Sequence, residues 1–199
     1  ILVCGTTLFI KNPNEKGFVS YHQDAKYIGL EPLNWVTAWV AITDSNEHNG
    51  CMRMWSGSHK DNLKDHDQKF NEKNLLTRGQ TVNNVPKEKT TPLVLEAGQM
   101  SLHHPTVVHG SDLNKSNDRR IGFNIQYIAA HVKQMKNNTD TAVCVRGIDN
   151  YNNFGIDVPA VSDEESWAIE GESGTSILMR NVADIKNSQN KVSISRICI

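Results

Sequence analysis

His22, Asp24 and His109 are the residues whose chemical types could bind one metal ion together. His22 and Asp24 are two positions apart, so on an extended strand both side chains would leave from the same face. His109 lies far downstream and would supply a third ligand. Two imidazoles and one carboxylate on one side of a metal leave the opposite positions open, as in non-haem Fe(II) oxygenases. These three residues therefore predict an iron site, provided that the fold brings them together.

Each histidine also has a plainer interpretation. A His-x-Asp pair occurs often by chance and usually lies at a surface, so the metal prediction depends on His109 and on a suitable arginine downstream. His103 and His104 precede a proline and are expected to be structural or to line the site. The other histidines are expected to orient a turn, in the case of His59, or to face solvent, in the case of His48, His66 and His131.

Runs of apolar, β-branched and aromatic residues, separated by Gly, Pro, Asn and Asp, predict a series of short strands that would position these side chains. The predicted strands that would carry or support the candidate site residues cover residues 1–10, 18–27, 35–43, 99–104, 107–111 and 119–131. The second would carry both His22 and Asp24, and the first and third have the apolar character of buried strands. Residues 60–92 are polar and poorly periodic, which is typical of a binding loop or a mobile segment. The pattern favours an all-β sandwich or barrel.

The composition narrows the classes of function. A chain of 199 residues suits a single domain with its own core. A formal net charge of -1 and a pI near 6.8 argue against nucleic acid or an anionic membrane as partner. No apolar run approaches the length of a membrane span. Four scattered cysteines without a CxxC pair favour reduced thiols in a cytoplasmic protein.

The two ends of the chain carry different signals. The chain begins with Ile1-Leu2-Val3 rather than with Met, which resembles the middle of a domain and predicts an N-terminally truncated domain. Beyond Gln134 the periodicity fades, and residues 148–199 show no clear pattern. We therefore expect a β-domain over residues 1–147 and a C-terminal extension of uncertain structure over residues 148–199.

A series of motifs along the chain resembles the phytanoyl-CoA dioxygenase family. The motifs are HQD with Tyr27 close behind, AWVAI followed by NGCM and GSHK, EAG before HH, and HGS-x-x-N-x-S-x-x-RR. They follow one another from about residue 7 to about residue 130. The resemblance implies a double-stranded β-helix (a cupin-like jelly roll) with peripheral loops and helices. It also implies Fe(II) as the metal, 2-oxoglutarate as cosubstrate and O2 as oxidant.

The resemblance makes His22, Asp24 and His109 both the metal ligands and the catalytic centre. It also requires an arginine for the far carboxylate of 2-oxoglutarate, because a guanidinium forms paired charge-assisted hydrogen bonds with a carboxylate. Strand alternation places Arg119 and Arg120 on opposite faces without showing which one faces inward. The family spacing of eleven positions after the distal histidine selects Arg120.

Four further cosubstrate contacts follow from the resemblance: Ser111, Gln23, Trp39 and Thr7. Ser111 is two positions after His109, so it would share its face and offer a hydroxyl. Thr7 is the weakest of the four, because relatives often have Met at this position, four before the lysine of the K-x-P turn.

The expected activity is hydroxylation of an unactivated C–H bond of a small organic substrate, with release of succinate and CO2. Related halogenases have Ala or Gly in place of the carboxylate ligand, so Asp24 favours hydroxylation over halogenation. One alternative is a non-catalytic or truncated jelly roll that binds a metal or ligand, and another is a metal-dependent cupin isomerase without the cosubstrate. The protein is expected to be a monomer or a weak homo-oligomer. The substrate is not predicted, because a fold does not determine it.

Overall fold

In the described residues, strands rather than helices form most of the regular secondary structure. The computed structural model describes residues 1–157, except residues 62, 69, 77 and 137–139. Most of the predicted extension over residues 148–199 therefore lies outside the described residues, and its boundary stays a prediction. The elements follow in chain order as β1 (Leu2–Lys11), β2 (Val19–His22), α1 (Asp24–Ile28), β3 (Leu30–Glu31), β4 (Trp35–Ala41), β5 (Met52–Trp55), β6 (Asp67–Gln68), β7 (Gln80–Thr81), β8 (Thr90–Pro92), β9 (Met100–His103), β10 (His109–Ser111), β11 (Arg120–Ile128), β12 (Lys133–Gln134), β13 (Thr141–Cys144) and β14 (Gly155–Ile156).

Two sheets carry most of these strands. The larger sheet has the order β14-β13-β1-β11-β4-β9, and the smaller has the order β2-β10-β5-β8. Residues from both sheets line one cavity, so the sheets face each other across it. The arrangement confirms the predicted all-β, jelly-roll architecture. In the described ranges, no helix has the length and apolar character needed to cross a membrane.

Three strand pairings position the site. The antiparallel pair β2–β10 places His109 directly opposite His22. In the larger sheet, β11 and β4 run antiparallel with Asn124 opposite Trp39. The antiparallel pair β4–β9 places Thr37 opposite His103. The register of these three pairings therefore brings together residues that are far apart in the sequence.

The hydrophobic core has two parts. One cluster of buried side chains joins β1, α1, β4 and the end of β11, and contains Leu2, Ala25, Leu30, Trp35, Ile128, Val132, Ala142 and Phe154. The second is smaller and contains Trp39, Ala41 and Met52. Each fully buried large aliphatic side chain contributes about 1.5–3 kcal/mol. Since the cavity-lining residues Trp39 and Met52 belong to the smaller cluster, apolar packing supports the wall of the cavity.

Two of the predicted strands differ from the structure. β1 is mostly half-buried rather than buried, and its buried residues are Leu2, Ile10 and Lys11 at its two ends. The strand predicted over residues 18–27 ends at His22, and Asp24 begins a short helix that stops at Gly29. Gly29 has φ +71°, a left-handed conformation that glycine adopts without steric cost and that commonly ends helices.

The polar segment of residues 60–92 is more ordered than predicted. It contains β8 of the smaller sheet and the small antiparallel pair β6–β7. Leu76 and Val82 are buried, and Asn74 accepts a hydrogen bond from the backbone N–H of Ser20. The hydrophobic periodicity of the sequence did not reveal these elements, because the segment is held by isolated apolar residues and side-chain amides, which do not form a regular pattern.

Candidate metal centre and adjoining pocket

The three predicted ligands meet between the two sheets. The rings of His22 and His109 have centroids 4.2 Å apart. Oδ1 of Asp24 lies 3.3 Å from Nε2 of His22 and 3.7 Å from Nε2 of His109. All three residues are buried, and their ligand atoms lie within 4.8 Å of one another. This spacing allows all three to contact a single ion.

Backbone conformation at Gln23 explains why His22 and Asp24 point the same way. Gln23 is extended, with φ -121° and ψ 126°, although helix α1 begins at the next residue. One extended residue between them is enough to turn both side chains to one side. The start of the helix is fixed by the N–H of Ala25, which donates to the carbonyl oxygen of Pro105 at 2.9 Å. The expected same-face geometry is thus present on a strand end rather than within a strand.

The hydrogen bonds of the two histidines set their tautomers. Nδ1 of His22 lies 2.8 Å from the carbonyl oxygen of Ser20, and Nδ1 of His109 lies 3.1 Å from that of Val107. A carbonyl can only accept, so each Nδ1 carries a hydrogen, and in the neutral ring the lone pair then lies on Nε2. Such an outer hydrogen bond commonly orients a metal-binding imidazole. Both Nε2 atoms are therefore ready to coordinate a metal.

The charges at the centre also suit a metal. Burial on its own would raise the pKa of Asp24, but His109, His103 and His22 outweigh it and lower that pKa well below its usual range. Burial, together with neighbouring His22, lowers the pKa of His109 to about 3. At neutral pH the carboxylate is ionised and His109 is neutral, which are the protonation states that metal binding requires. Two imidazoles and one carboxylate are a donor set that fits Fe(II).

Arg120 lies at the other end of the same cavity. It is only 2% exposed, whereas Arg119 is exposed, so Arg120 is the arginine that faces inward. Its Nη2 donates to the carbonyl oxygen of Gly50 at 2.9 Å, and its guanidinium lies 5.3 Å from the centre of the Trp39 ring. Its Nε has no hydrogen-bond partner among the described residues. Arg120 can thus offer a buried N–H group to a ligand.

Trp39 contacts the pocket because Gly122 leaves room for it. A Cβ atom on Gly122 would lie 1.9 Å from Cζ2 of Trp39, closer than any two such atoms can approach. Gly122 and Arg120 are two positions apart on β11 and share a face. The absence of a side chain at Gly122 lets the Trp39 indole lie against the sheet and reach the guanidinium.

Ser111 has a partner that the sequence analysis did not assign. Nζ of Lys11 donates to Oγ of Ser111 at 2.7 Å and also to the carbonyl oxygen of Asp112. Lys11 is only 1% exposed, and burial, followed by the neighbouring Arg120, lowers its pKa to about 6. In its charged form Lys11 donates to the Ser111 oxygen and leaves the Ser111 hydroxyl hydrogen free for an acceptor in the pocket, and a bound anion would favour that charged form. In the sequence, Lys11 served only to locate the K-x-P turn, and no role was assigned to it because lysine is almost never fully buried.

Two of the other predicted cosubstrate contacts lie off the pocket wall. The side-chain amide of Gln23 donates to the carbonyl oxygen of Thr106 at 2.6 Å and accepts from the N–H of Lys64 at 2.8 Å. Gln23 thus connects two loops, and its side chain is fully engaged in doing so. Thr7 shares a face of β1 with Phe9, but only Phe9 lines the pocket. The structure brings Arg120, Ser111 and Trp39 together around the cavity and leaves Gln23 and Thr7 outside its lining.

Beside the predicted ligands, Thr37 was missed in the sequence, whereas His103 was expected to be structural or to line the site. Thr37 and His103 line the pocket and lie against Asp24. Thr37 could have been recognised, because it is the polar residue two before Trp39 in an otherwise apolar strand. His66 was predicted to face solvent without a partner, and it is half-buried, with its Nε2 accepting a hydrogen bond from the N–H of Gln23 at 3.1 Å.

Comparisons with known proteins agree with this geometry. Residues 2–122 match the family model for phytanoyl-CoA dioxygenase (PhyH). Human peroxisomal phytanoyl-CoA dioxygenase is 28% identical over 130 residues, which cover 62% of this chain and 38% of that protein. The chain therefore spans well under half the length of this relative.

Solved structures show the same fold. Apo ThoJ, a non-heme monooxygenase, matches with a TM-score of 0.71 at 29% identity, covering 94% of this chain and 68% of that chain. SnoK, a non-heme alpha ketoglutarate dependent carbocyclase from nogalamycin biosynthesis, matches with a TM-score of 0.53 at 23% identity. That match covers 67% of this chain and 51% of SnoK, and it shows the fold alone.

Proposed function

Because the chain belongs to the phytanoyl-CoA dioxygenase family, we propose that it is an Fe(II)- and 2-oxoglutarate-dependent oxygenase acting on a small organic substrate. The observation that carries the proposal is the direct cross-strand pairing of His109 with His22 beside the ionised Asp24. A buried arginine, Arg120, lies across the same cavity. One end therefore offers ligands to a metal and the other offers a cation to a carboxylate.

His22, Asp24 and His109 would hold the iron. When bound, iron supplies the redox chemistry that couples loss of CO2 from 2-oxoglutarate to oxidation of the substrate by O2. The protein's own contribution is to keep both Nε2 lone pairs and the Asp24 carboxylate pointed at one place before a metal arrives. The surrounding burial limits the access of water to that place.

Arg120, Ser111 and Trp39 would hold the far carboxylate of 2-oxoglutarate. The unpartnered Nε of Arg120 and the free hydroxyl hydrogen of Ser111 give two donors from two different sheets. Hydrogen bonds in which both groups are charged are roughly twice as strong as neutral ones. The Trp39 ring covers the guanidinium and excludes water from it. Gln23 and Thr7 stay predictions, since neither is among the residues that line the cavity.

We further propose that the reaction is hydroxylation of an unactivated C–H bond. In balance, substrate, 2-oxoglutarate and O2 give hydroxylated substrate, succinate and CO2. The presence of a carboxylate ligand at Asp24 supports hydroxylation over halogenation. A cytoplasmic location and a monomeric or weakly oligomeric state remain predictions.

Anaerobic titration tests the metal and cosubstrate sites together. Metal-free protein receives Fe(II) and then 2-oxoglutarate, and the weak visible band of an iron–keto acid chelate is followed. We expect the band in the parent, its loss in His109→Ala, and a much higher 2-oxoglutarate requirement in Arg120→Met. Release of succinate in air then tests turnover. A folded parent protein that binds Fe(II) but never forms the band would rule out the oxygenase and leave a metal-binding jelly roll.

A further inference from the structure

The oxygen of Asp24 that faces away from the two histidine ligands has its own partners. Thr37 donates from Oγ1 to Oδ2 of Asp24 at 2.8 Å. Nε2 of His103 lies 3.4 Å from the same oxygen. Thr37 and His103 are only 1% and 5% exposed. They sit directly opposite each other in the pairing of β4 with β9.

The two oxygens of Asp24 thus face different neighbours. Oδ1 is the oxygen near His22 and His109, and Oδ2 is the oxygen near Thr37 and His103. A carboxylate oxygen has about two lone-pair directions, so a donor at Oδ2 reduces its capacity to bind anything else. Both neighbours of Oδ2 belong to the larger sheet, whereas His22 and His109 belong to the smaller one.

We propose that Thr37 and His103 are positioning residues that hold Oδ2 of Asp24 and leave Oδ1 as the oxygen presented to the metal, an inference that rests on the proposed metal site. Outer partners of this kind orient a ligand, and their loss commonly weakens metal affinity about 10- to 100-fold. The pair also connects the larger sheet to a ligand whose two companions lie on the smaller one. The metal centre therefore depends on the register of both sheets.

The geometry favours positioning over ligation for His103. Its Nε2 faces Oδ2, the oxygen turned away from His22 and His109. In the described part of the chain, neither ring nitrogen of His103 has a hydrogen-bond partner, so no other group competes for Nε2, and the tautomer with a hydrogen on Nε2 would point it at Oδ2. At 3.4 Å this contact is long for a hydrogen bond, so the shorter contact from Thr37 is the stronger constraint.

Four substitutions in otherwise unchanged protein separate these roles. Thr37→Val and His103→Leu remove the donors with little change of volume, and Thr37→Ser and His103→Gln restore a donor. Thr6→Val is the matched control, since Thr6 is an exposed threonine of β1. Thermal unfolding of each metal-free protein establishes that it is folded, and a folded Thr37→Val carries the test if His103→Leu does not fold.

The probe is Co2+ alone, added to metal-free protein and followed by calorimetry and by the visible absorption of the bound ion. We expect about 10- to 100-fold weaker binding in Thr37→Val and His103→Leu. Affinity should be near the parent value in Thr37→Ser, His103→Gln and Thr6→Val. The absorption of fully loaded His103→Leu should keep the parent band positions, because its nitrogen is not a ligand.

Three results would overturn the inference. Unchanged Co2+ affinity in both donor-free variants would show that Oδ2 needs no partner. A loaded spectrum of His103→Leu that shifts as far as that of His109→Ala would make His103 a ligand instead of a positioning residue. A folded parent that binds no Co2+ would overturn the proposed metal site, and the inference with it, and this result differs from the first because the parent itself fails.

Discussion

The two ends of the cavity differ in how completely the protein satisfies their polar atoms. At the metal end, both Nδ1 atoms donate to carbonyls and both oxygens of Asp24 have neighbours. At the cosubstrate end, Nε of Arg120 and Oδ1 of Asn124 have no hydrogen-bond partner among the described residues. The described chain also places no carboxylate within ion-pair distance of Arg120 or Lys11. The protein thus orients the three ligands at one end, although the ring nitrogens of His103 there make no hydrogen bond within the described residues, and the other end needs an anion.

This difference means that the cosubstrate end lowers the stability of the empty protein but favours the binding of an anion. Burying an unpaired cation costs several kcal/mol after relaxation, so the cosubstrate end destabilises the empty protein. Lys11 reduces this cost by releasing its proton readily, since burial lowers its pKa to about 6. An anion that enters the pocket would recover the cost as binding energy. Substitutions at the two ends should therefore act on different quantities.

The largest effect is expected from His109→Ala, which removes a ligand from the metal end. Metal affinity should fall by more than about 100-fold, beyond the loss typical of an outer partner. Titration of metal-free protein with Co2+ measures this. His48→Ala is the control, because His48 is an exposed histidine in a loop. Equal affinity in His109→Ala and the parent would show that the metal end lies elsewhere.

Arg120→Met should separate stability from binding most clearly. Losing one partner of a buried, hydrogen-bonded charge pair costs about 2–5 kcal/mol, or about 30- to 5,000-fold in 2-oxoglutarate affinity. The free energy of unfolding of the empty protein should stay level or rise by up to about 1–4 kcal/mol, because a buried charge is replaced by an apolar side chain. Calorimetry and urea unfolding measure the two quantities.

Arg119→Met is the control for the prediction that replacing Arg120 weakens 2-oxoglutarate binding without lowering the free energy of unfolding. Arg119 is the exposed neighbour of Arg120, so its replacement should change neither 2-oxoglutarate affinity nor the free energy of unfolding appreciably. A loss of stability in ligand-free Arg120→Met would contradict the comparison, since Arg120 would then be a structural residue satisfied by the protein alone.

Gly122→Ala tests the packing that supports the cosubstrate end. The new methyl group would overlap the Trp39 ring, so the ring must move, at a cost of about 1–3 kcal/mol in the free energy of unfolding. Urea unfolding followed by tryptophan fluorescence reports both the cost and the movement. Gly17→Ala is the control, because a Cβ there meets Leu75 at an ordinary 3.5 Å. Equal stability of the two variants would mean that Trp39 does not depend on Gly122.

Lys11→Met should change how the free energy of unfolding depends on pH, an effect that is smallest near pH 6 and grows as the pH rises. Unfolded lysine keeps its proton up to a pKa of about 10.5, whereas burial and Arg120 lower the folded pKa to about 6. Between these values the unfolded chain binds more protons, so the free energy of unfolding of the parent rises with pH, by at most about 1.4 kcal/mol per pH unit. The Met variant should lack this rise.

Urea unfolding of parent and Lys11→Met between roughly pH 6.5 and 8.5 measures that slope, a range chosen inside the window between the two pKa values. Lys115→Met is the control, because Lys115 is exposed and should leave the slope unchanged. Parallel pH profiles for the parent and Lys11→Met would show that Lys11 stays protonated in the folded protein.

Sequence patterns predicted the parts of the site that depend on local geometry and residue type. His22 and Asp24 share a side because a single extended residue separates them, and that holds although the strand ends earlier than predicted. Alternation reduced the cosubstrate arginine to Arg119 or Arg120. It could not choose between them, because the inward face of β11 is fixed by its pairing with β4.

The contacts that were not predicted depend on how distant parts of the fold come together. Thr37 and His103 act on one carboxylate only because β4 and β9 pair in that register. Lys11 is buried because three oxygens, on Gly50, Ser111 and Asp112, surround its Nζ. Gln23 has the right position in the motif, but two loop backbones occupy its amide. Such partners become visible only once distant segments are placed together.

The pairing of His22 with His109 has a further consequence, for the lifetime of the folded protein. A metal ion between them would join distant parts of the chain, and the unfolded chain seldom brings such ends together because loop closure costs entropy. The ion should therefore bind the native state almost alone, and at 100 times its dissociation constant it would add about 2.7 kcal/mol to stability. Proteases that attack transiently opened chains would then degrade the protein faster whenever iron is scarce.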